Sequence, residues 1–121
     1  MKISVIIPVY NGENHIIGCV ESILTQTYKD FEIIIINDAS TDNTKKILKN
    51  YSLNSLVKVL HNDVNKGQAS SINKALKVAS GEYIAYLDSD DLMVSNRLEI
   101  QSNFLDRNPN VGLVFSDVKY I

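Results

Sequence analysis

Residues 83–92 read YIAYLDSDDL, and within this stretch the chain changes abruptly from apolar to acidic. The first part, 83–87, is an apolar run rich in residues that favour strands. Such runs are typical of strands buried in a parallel sheet. Ligands of open α/β sheets bind beyond the carboxyl ends of the strands. The stretch therefore predicts a strand over Tyr83–Leu87 that leads acidic side chains to a binding edge.

The acidic part of this stretch has two candidate roles. Asp88 and Asp90 are separated by the small Ser89, so in an extended chain both carboxylates point to the same side. Carboxylates that close repel each other unless a cation lies between them, and oxygen ligands at an open cleft suit Mg²⁺ or Mn²⁺. Alternatively, Asp90 and Asp91 cap the helix that follows. This stretch alone leaves both roles open.

Apolar runs elsewhere in the chain predict four more strands. Residues 3–7 and 31–36 are typical of strands buried on both faces, and the second run contains four consecutive isoleucines. Residues 57–60 form a weaker run, which we expect nearer an edge of the sheet. Residues 111–115 are apolar again and predict the last strand.

Helical spacing of apolar residues predicts four helices between these strands. The first is expected to start near Glu13 behind a cap at Asn11, and the second spans about 42–50. The third carries the apolar stripe Ala69, Ile72, Leu76 and Ala79 and ends at a Gly81 C-cap, and the fourth runs from a Ser95 cap through Leu105. Strands alternating with helices at this spacing give right-handed βαβ units. The sequence thus predicts an α/β, Rossmann-like fold with a largely parallel sheet flanked by helices.

Length, charge and cysteine content exclude several classes of protein. The 121 residues suit one domain, 1–121, and the net charge of −2 without a basic run argues against nucleic-acid binding. Cys19 is the only cysteine, so the chain has no disulfide framework, and a reducing cytoplasm fits. The apolar run that ends at Pro8 is too short for a signal peptide or a membrane span, and we expect no transmembrane segment.

Polar side chains follow three of the predicted strands, which in a parallel sheet end at the same edge. Tyr10 follows the first strand, Asp38 the second, and Asp88 and Asp90 the fourth. Asp38 could accept an N–H from a uracil or guanine edge and Tyr10 could stack on the base, while Asp88 could bind ribose hydroxyls and Asp90 a metal that bridges a diphosphate. The alternatives are an Asx-turn that caps the second helix for Asp38 and partial burial against the first helix for Tyr10.

The remaining candidates favour structural roles. His15 and His61 have no second histidine or cysteine at ligand spacing, so each is interpreted as a surface or partly buried structural residue. Cys19 falls on the apolar side of the first helix and is expected to be a small core residue.

Four segments in order resemble the motifs of glycosyltransferase family 2. They are SVIIPVYN at 4–11, INDASTDNT at 36–44, NKGQA at 65–69 and GEYIAYLDSDD at 81–91. Together they cover nearly the whole chain. The resemblance implies a GT-A fold, of which this chain is the N-terminal, nucleotide-sugar-binding part, and inverting sugar transfer with Mn²⁺ or Mg²⁺.

The resemblance also implies roles for individual residues. It assigns the metal to Asp90, aided by Asp88, which favours metal binding over helix capping. Nucleotide binding falls to Pro8, Val9, Tyr10, Asp38, Lys66, Gly67, Asp88 and Ser89.

Two departures from the family pattern limit what the resemblance implies. Many members carry an arginine before the asparagine of the third helix, whereas here Ile72 precedes Asn73 and Lys66 is the candidate substitute. The family's acceptor half and its general base lie downstream of the acidic motif, so we expect the base beyond Ile121. Asp117 is the only late acid and falls before that region. We therefore expect the chain alone to bind nucleotide and metal but to transfer sugar slowly or not at all.

The implied function is transfer of a sugar from a nucleoside-diphosphate donor, with uridine favoured, to a hydroxyl of a glycan or lipid-linked acceptor in polysaccharide synthesis. The acceptor or a partner could bring such a protein to a membrane, and uncovered apolar sheet surface would favour a homodimer. The alternative is a non-catalytic nucleotide-binding or interaction module. A phosphoacceptor receiver domain is disfavoured because the first strand ends in Pro8-Val9-Tyr10 instead of an acidic pair. A sugar nucleotidyltransferase is disfavoured because its glycine-rich loop with an arginine is absent after that strand.

Overall fold

The computed structural model describes residues 2–119 and contains four strands and four α-helices in alternating order. The first half holds β1 (Ile3–Val9), α1 (Ile16–Leu24), β2 (Phe31–Asn37) and α2 (Thr44–Leu48), which continues into a 3₁₀ turn at Lys49–Tyr51. The second half holds β3 (Val57–His61), α3 (Gln68–Val78), β4 (Tyr83–Tyr86) and α4 (Arg97–Arg107). No helix between residues 2 and 119 is long and apolar enough to cross a membrane.

The four strands form one parallel sheet in the order β3-β2-β1-β4. Ile3 pairs with Phe31 of β2 on one side of β1 and with Tyr83 of β4 on the other. The α/β class and the parallel sheet are confirmed, as is the position of β3 at an edge.

Helices cover both faces of the sheet. Successive residues of a strand point to opposite faces, so a continuous apolar run supplies both. One face packs against α1, α2 and α4, and its buried residues include Val5, Ile7, Ile33, Ile35, Val20, Leu48 and Leu98. The other face packs against α3 through Ile6, Ile34, Ile36 and Ala75. The isoleucine run of β2 therefore forms the centre of both layers, which explains its composition.

Two predictions were wrong, namely a last strand at 111–115 and burial of β4 on both faces. Residues 111–115 form neither strand nor helix, and Leu113 and Phe115 are exposed. Within residues 2–119, β4 pairs only with β1 and is an edge strand, and Ile84 is 47% exposed. A run of strand-forming residues becomes a strand only where a neighbouring backbone accepts and donates its hydrogen bonds, and 111–115 has no such neighbour among the described residues.

The expected caps of the first and fourth helices were also wrong. Asn11 has a left-handed backbone (φ +52°) and lies before α1, which begins at Ile16 without a side-chain cap. Ser95 precedes α4, which begins at Arg97, and its carbonyl instead accepts the backbone N–H of Thr27.

The third helix differs from the prediction in its end and in its buried side. It ends at Val78, and the following Gly81 is required for a different reason, since a Cβ there would collide with the backbone of Ser4. Ser71 and Ala75 are the buried residues of α3, whereas Leu76 is 44% exposed.

A buried carboxylate joins the amino ends of three strands. Glu32 is 3% exposed and accepts hydrogen bonds from Ser4 Oγ (2.7 Å) and from the backbone N–H of Ser80 (2.7 Å). Its other oxygen lies 2.9 Å from Lys58 Nζ. Burial alone raises the pKa of this carboxyl, but the surrounding donors outweigh it and lower the pKa to about 2. The charge is therefore retained and compensated at the sheet edge opposite to the cavity described below.

Candidate functional site

A cavity of about 500 Å³ opens at the carboxyl edge of the sheet. The segments that follow β1, β2 and β4 surround it together with the first turn of α3. Its lining residues are Pro8, Val9, Tyr10, Asn11, Gly12, His15, Asp38, Gln68, Ser71, Asp88, Ser89 and Asp90. The three strand ends that carry polar side chains thus share one cavity.

All of the residues that we expected at a nucleotide or metal site line this cavity, except two. Lys66 and Gly67 are absent from its wall. Both instead donate backbone N–H groups to the carboxylate of Asp38, at 2.8 Å and 2.9 Å. The structure therefore places them behind Asp38, where they hold that side chain.

Asp38 is a buried carboxylate held by the loop before α3. It is 5% exposed, and its Oδ1 also accepts a hydrogen bond from Asn62 Nδ2 at 2.9 Å. Burial raises the pKa of Asp38, but the N–H groups of Lys66, Asn62 and Gly67 outweigh it and hold the pKa below its usual value. The alternative role as the cap of α2 is wrong, because Asp42 accepts the N–H of Thr44 at that helix start.

The loop after β1 is tied to the loop after β2. Asn11 Oδ1 accepts the backbone N–H of Thr41 at 2.7 Å, and the N–H of Gly12 donates to Thr44 Oγ1 at 2.9 Å. A Cβ on Gly12 would lie 2.5 Å from Val9 Cγ2, so this wall tolerates no larger residue without moving. Tyr10 projects from this loop with half of its surface exposed, so its ring is available to a ligand.

The acidic stretch forms a turn that gathers three carboxylates. The N–H of Asp91 donates to the carbonyl of Asp88 at 3.0 Å, so the chain turns here and the condition of an extended chain, on which the shared direction of Asp88 and Asp90 depended, is not met. Oxygens of Asp88, Asp90 and Asp91 lie within 4.8 Å of one another and are exposed. Burial and the negative charges of Asp90 and Asp88 raise the pKa of Asp91. Helix capping by Asp90 and Asp91 is wrong, because α4 begins only at Arg97.

Two neighbouring side chains orient Asp88. The hydroxyl of Tyr86 donates to Asp88 Oδ1, and Gln68 Nε2 contacts the same oxygen at 3.4 Å as well as the Tyr86 hydroxyl. Within the part of the chain that the structure describes, no hydrogen bond reaches the other oxygen of Asp88, so that oxygen is available to a ligand. Oxygen atoms from several carboxylates are the donor set that Mg²⁺ and Mn²⁺ prefer, so the residues of this turn fit such an ion.

The charge of the cavity wall is strongly one-sided. Among the described residues that line it, Asp38, Asp88 and Asp90 are acidic and none is lysine or arginine. Ile72, which replaces the family's arginine, packs partly buried against the α3 face of the sheet. A cation held by these carboxylates would offset their repulsion of an anionic ligand.

Sequence reasoning missed several lining residues. Gln68 and Ser71 lie three residues apart and so share one side of the first turn of α3. Gln68 belongs to the NKGQA motif at 65–69, which could have indicated it, whereas Ser71 gave no signal. His15 was interpreted as structural, yet it lines the cavity. The start of α1 at Ile16 places His15 at the cavity edge, and only the position of that helix reveals this.

Comparison with known proteins identifies the family. The sequence matches the profile described as Glycosyl transferase family 2 over residues 4–120. The chain belongs to this family. It is 40% identical over 119 residues to the UDP-Glc:alpha-D-GlcNAc-diphosphoundecaprenol beta-1,3-glucosyltransferase WfgD of Escherichia coli, a match that covers 98% of this chain and 46% of that protein. The chain thus spans less than half the length of this curated relative.

Solved structures agree with the GT-A fold. The crystal structure of S. aureus TarS 1–349 in complex with UDP-GlcNAc matches 90% of this chain and 32% of its own chain, with 35% identity and a TM-score of 0.84. The mannosyltransferase PcManGT from Pyrobaculum calidifontis, in complex with GDP-Man and Mn²⁺, matches 75% of this chain and 28% of its own, with 28% identity and a TM-score of 0.70. Chains with this architecture therefore include proteins that bind nucleotide sugars.

Proposed function

We propose that this chain forms the donor site of an inverting glycosyltransferase and binds a nucleoside-diphosphate sugar, with uridine as the base, together with Mn²⁺ or Mg²⁺. The observation that carries the proposal is the cavity wall itself. It brings an exposed aromatic ring, a buried carboxylate and an acidic turn to one sheet edge, and none of the described residues in it is a lysine or arginine. A divalent ion bound there would offset the repulsion between this wall and a diphosphate.

Each wall segment has a distinct task in this proposal. Tyr10 stacks on the base, and Asp38 accepts an N–H from its edge. Asp88 binds ribose hydroxyls through the oxygen that Tyr86 leaves free, and Asp90, aided by Asp88, holds the ion. When bound, the divalent ion would neutralise the negative charge that develops on the departing diphosphate. Pro8, Val9 and Ser89 shape the remaining wall.

The acceptor side of the reaction is proposed to depend on residues other than those described. Asp117 is exposed and does not line the cavity, so it is no candidate for the general base. We place that base beyond Ile121 and expect the chain alone to bind donor without transferring sugar at ordinary enzyme rates. A non-catalytic nucleotide-binding module, the alternative function, would also bind nucleotide without transferring sugar.

The printed activity of one relative supports a proposal for the acceptor. WfgD is named for transfer from UDP-Glc to a lipid-linked diphosphate acceptor. We propose a glycan or lipid-linked acceptor in polysaccharide synthesis, a cytoplasmic site of action, and membrane association through the acceptor or partners. Exposed apolar side chains at Ile84, Leu113 and Phe115 support a homodimer of this chain.

Titration calorimetry with UDP tests the donor site. We expect the chain to bind UDP with Mn²⁺ and to lose most of this binding in EDTA. Asp90→Asn should weaken the Mn²⁺-dependent binding on the order of tenfold or more, because a charged ligand of the ion is lost. Asp117→Asn is the matched control, since it removes an exposed acid outside the cavity and should bind like the parent chain. Equal UDP binding with Mn²⁺ and with EDTA, or full binding by Asp90→Asn, would contradict the proposal.

A further inference from the structure

A buried asparagine lies directly behind Asp38. Asn62 is 7% exposed and is not part of the cavity wall. Its Nδ2 donates to Asp38 Oδ1 at 2.9 Å and to Ser71 Oγ at 3.2 Å. Its Oδ1 accepts a hydrogen bond from Lys74 Nζ at 3.0 Å. The amide therefore connects the base-reading carboxylate to α3.

Lys74 determines which end of this amide meets Asp38. An ammonium group only donates hydrogen bonds, so the amide oxygen of Asn62 must face Lys74. The NH₂ group then faces Asp38 and Ser71. Lys74 also donates to the carbonyl of His61 at 3.0 Å, which fixes the ammonium in place. Asn62 is thus held as a donor to Asp38.

These contacts leave Asp38 with little free acceptor capacity. A carboxylate offers about four lone-pair sites. Oδ1 already accepts from Asn62 Nδ2 and from the N–H of Lys66, and Oδ2 accepts from the N–H of Gly67. Among residues 2–119 no other group donates to this carboxylate, so one site, on Oδ2, remains. Asp38 can therefore accept a single additional N–H.

The bases of nucleotide donors differ in the number of N–H groups on the edge that Asp38 would read. Uracil presents one N–H between two carbonyls, whereas guanine presents a ring N–H and an adjacent amino group. Guanine bound to a carboxylate through both groups needs a free site on each oxygen. We propose that Asn62 is a specificity-determining residue, which fills Oδ1 and so restricts the pocket to a base with one N–H. This inference rests on the proposed function.

The test compares the affinities for UDP and GDP in Mn²⁺. We expect the parent chain to prefer UDP and Asn62→Ala to lower the UDP-to-GDP affinity ratio on the order of tenfold, because a site for a hydrogen bond to a charged group becomes free for guanine. Lys74→Met keeps Asn62 but removes the hydrogen bond to its amide oxygen, so it should lower the UDP-to-GDP affinity ratio less than Asn62→Ala does. Asn65→Ala is the matched control, since Asn65 Nδ2 donates to the backbone carbonyl of Asp38, at 3.4 Å, and not to its carboxylate.

Thermal unfolding of each variant separates specificity from folding. If Asn62→Ala is folded and keeps the parent ratio, or loses UDP and GDP affinity in equal proportion, Asn62 is only structural and the inference is wrong. If Asn62→Ala does not fold, Lys74→Met replaces it in the test, and a folded Lys74→Met with the parent UDP-to-GDP affinity ratio shows the inference to be wrong. A parent chain that binds UDP and GDP equally overturns the inference and the choice of uridine, but leaves metal-dependent nucleotide binding in place. A parent chain that binds neither overturns the proposed function as well.

Discussion

Replacing Glu32 with Gln removes a buried charge at the sheet edge opposite to the cavity. The carboxyl has a usual pKa of 4.5 and a pKa of about 2 in the fold. A lowered pKa stabilises the fold above the usual value, and this stabilisation is lost as the pH falls through the folded value. The difference corresponds to about 3 kcal/mol of unfolding free energy at neutral pH, of which about 2 kcal/mol is lost by pH 3.

Urea unfolding of both proteins at pH 7, 5, 4 and 3 measures this contribution. The parent chain should lose about 2 kcal/mol more than Glu32→Gln between pH 7 and pH 3, because Gln cannot titrate. Glu82→Gln is the matched control. Its carboxylate is exposed and pairs with Lys2 at 3.0 Å, so we expect an effect of about 0–1 kcal/mol. The same pH dependence in the parent chain and Glu32→Gln would refute the assignment of this stability to Glu32.

Two further substitutions test the cavity edge. Tyr86→Phe removes the hydroxyl that orients Asp88, so it should weaken Mn²⁺-dependent UDP binding by about three- to tenfold in calorimetry. The unfolding temperature should change little. Unchanged UDP binding would exclude the orienting role. Ala39 has a left-handed backbone (φ +61°) directly after Asp38, and Ala39→Gly removes the strain of this conformation. The variant should be more stable by about 0.5–1 kcal/mol in urea unfolding. A less stable variant would show that this conformation carries no strain.

The element order and the position of the site were predictable because their signals are local. The isoleucine-rich runs in β1 and β2 indicate burial on both faces whatever surrounds them. In the structure β1 is two residues longer than predicted and β2 one residue longer, ending at Val9 and Asn37. Parallel strands end at one edge, so the placement of Asp38 near Asp90 followed from topology alone. Three of the four family motifs support the same residues because they span the ends of β1, β2 and β4.

Caps and lone strand candidates were not predictable in this way. Asn11 has the residue type of a cap, but its side chain accepts the N–H of Thr41, thirty positions away. Residues 111–115 have strand composition, but whether they form a strand depends on a neighbouring backbone. Both outcomes depend on partners that are distant in sequence.

By itself, the sequence determined the α/β alternation, the buried β1 and β2, and the acidic residues that follow the strands, because hydrophobic periodicity and strand direction act over a few residues. Only the tertiary structure decided what the polar groups of the cavity bind. Asp38 receives its donors from Asn62, Lys66 and Gly67, at least twenty-four positions further along the chain. A hydrogen bond forms with whichever partner packing brings within about 3 Å, and that distance is set by how the loops settle on the sheet.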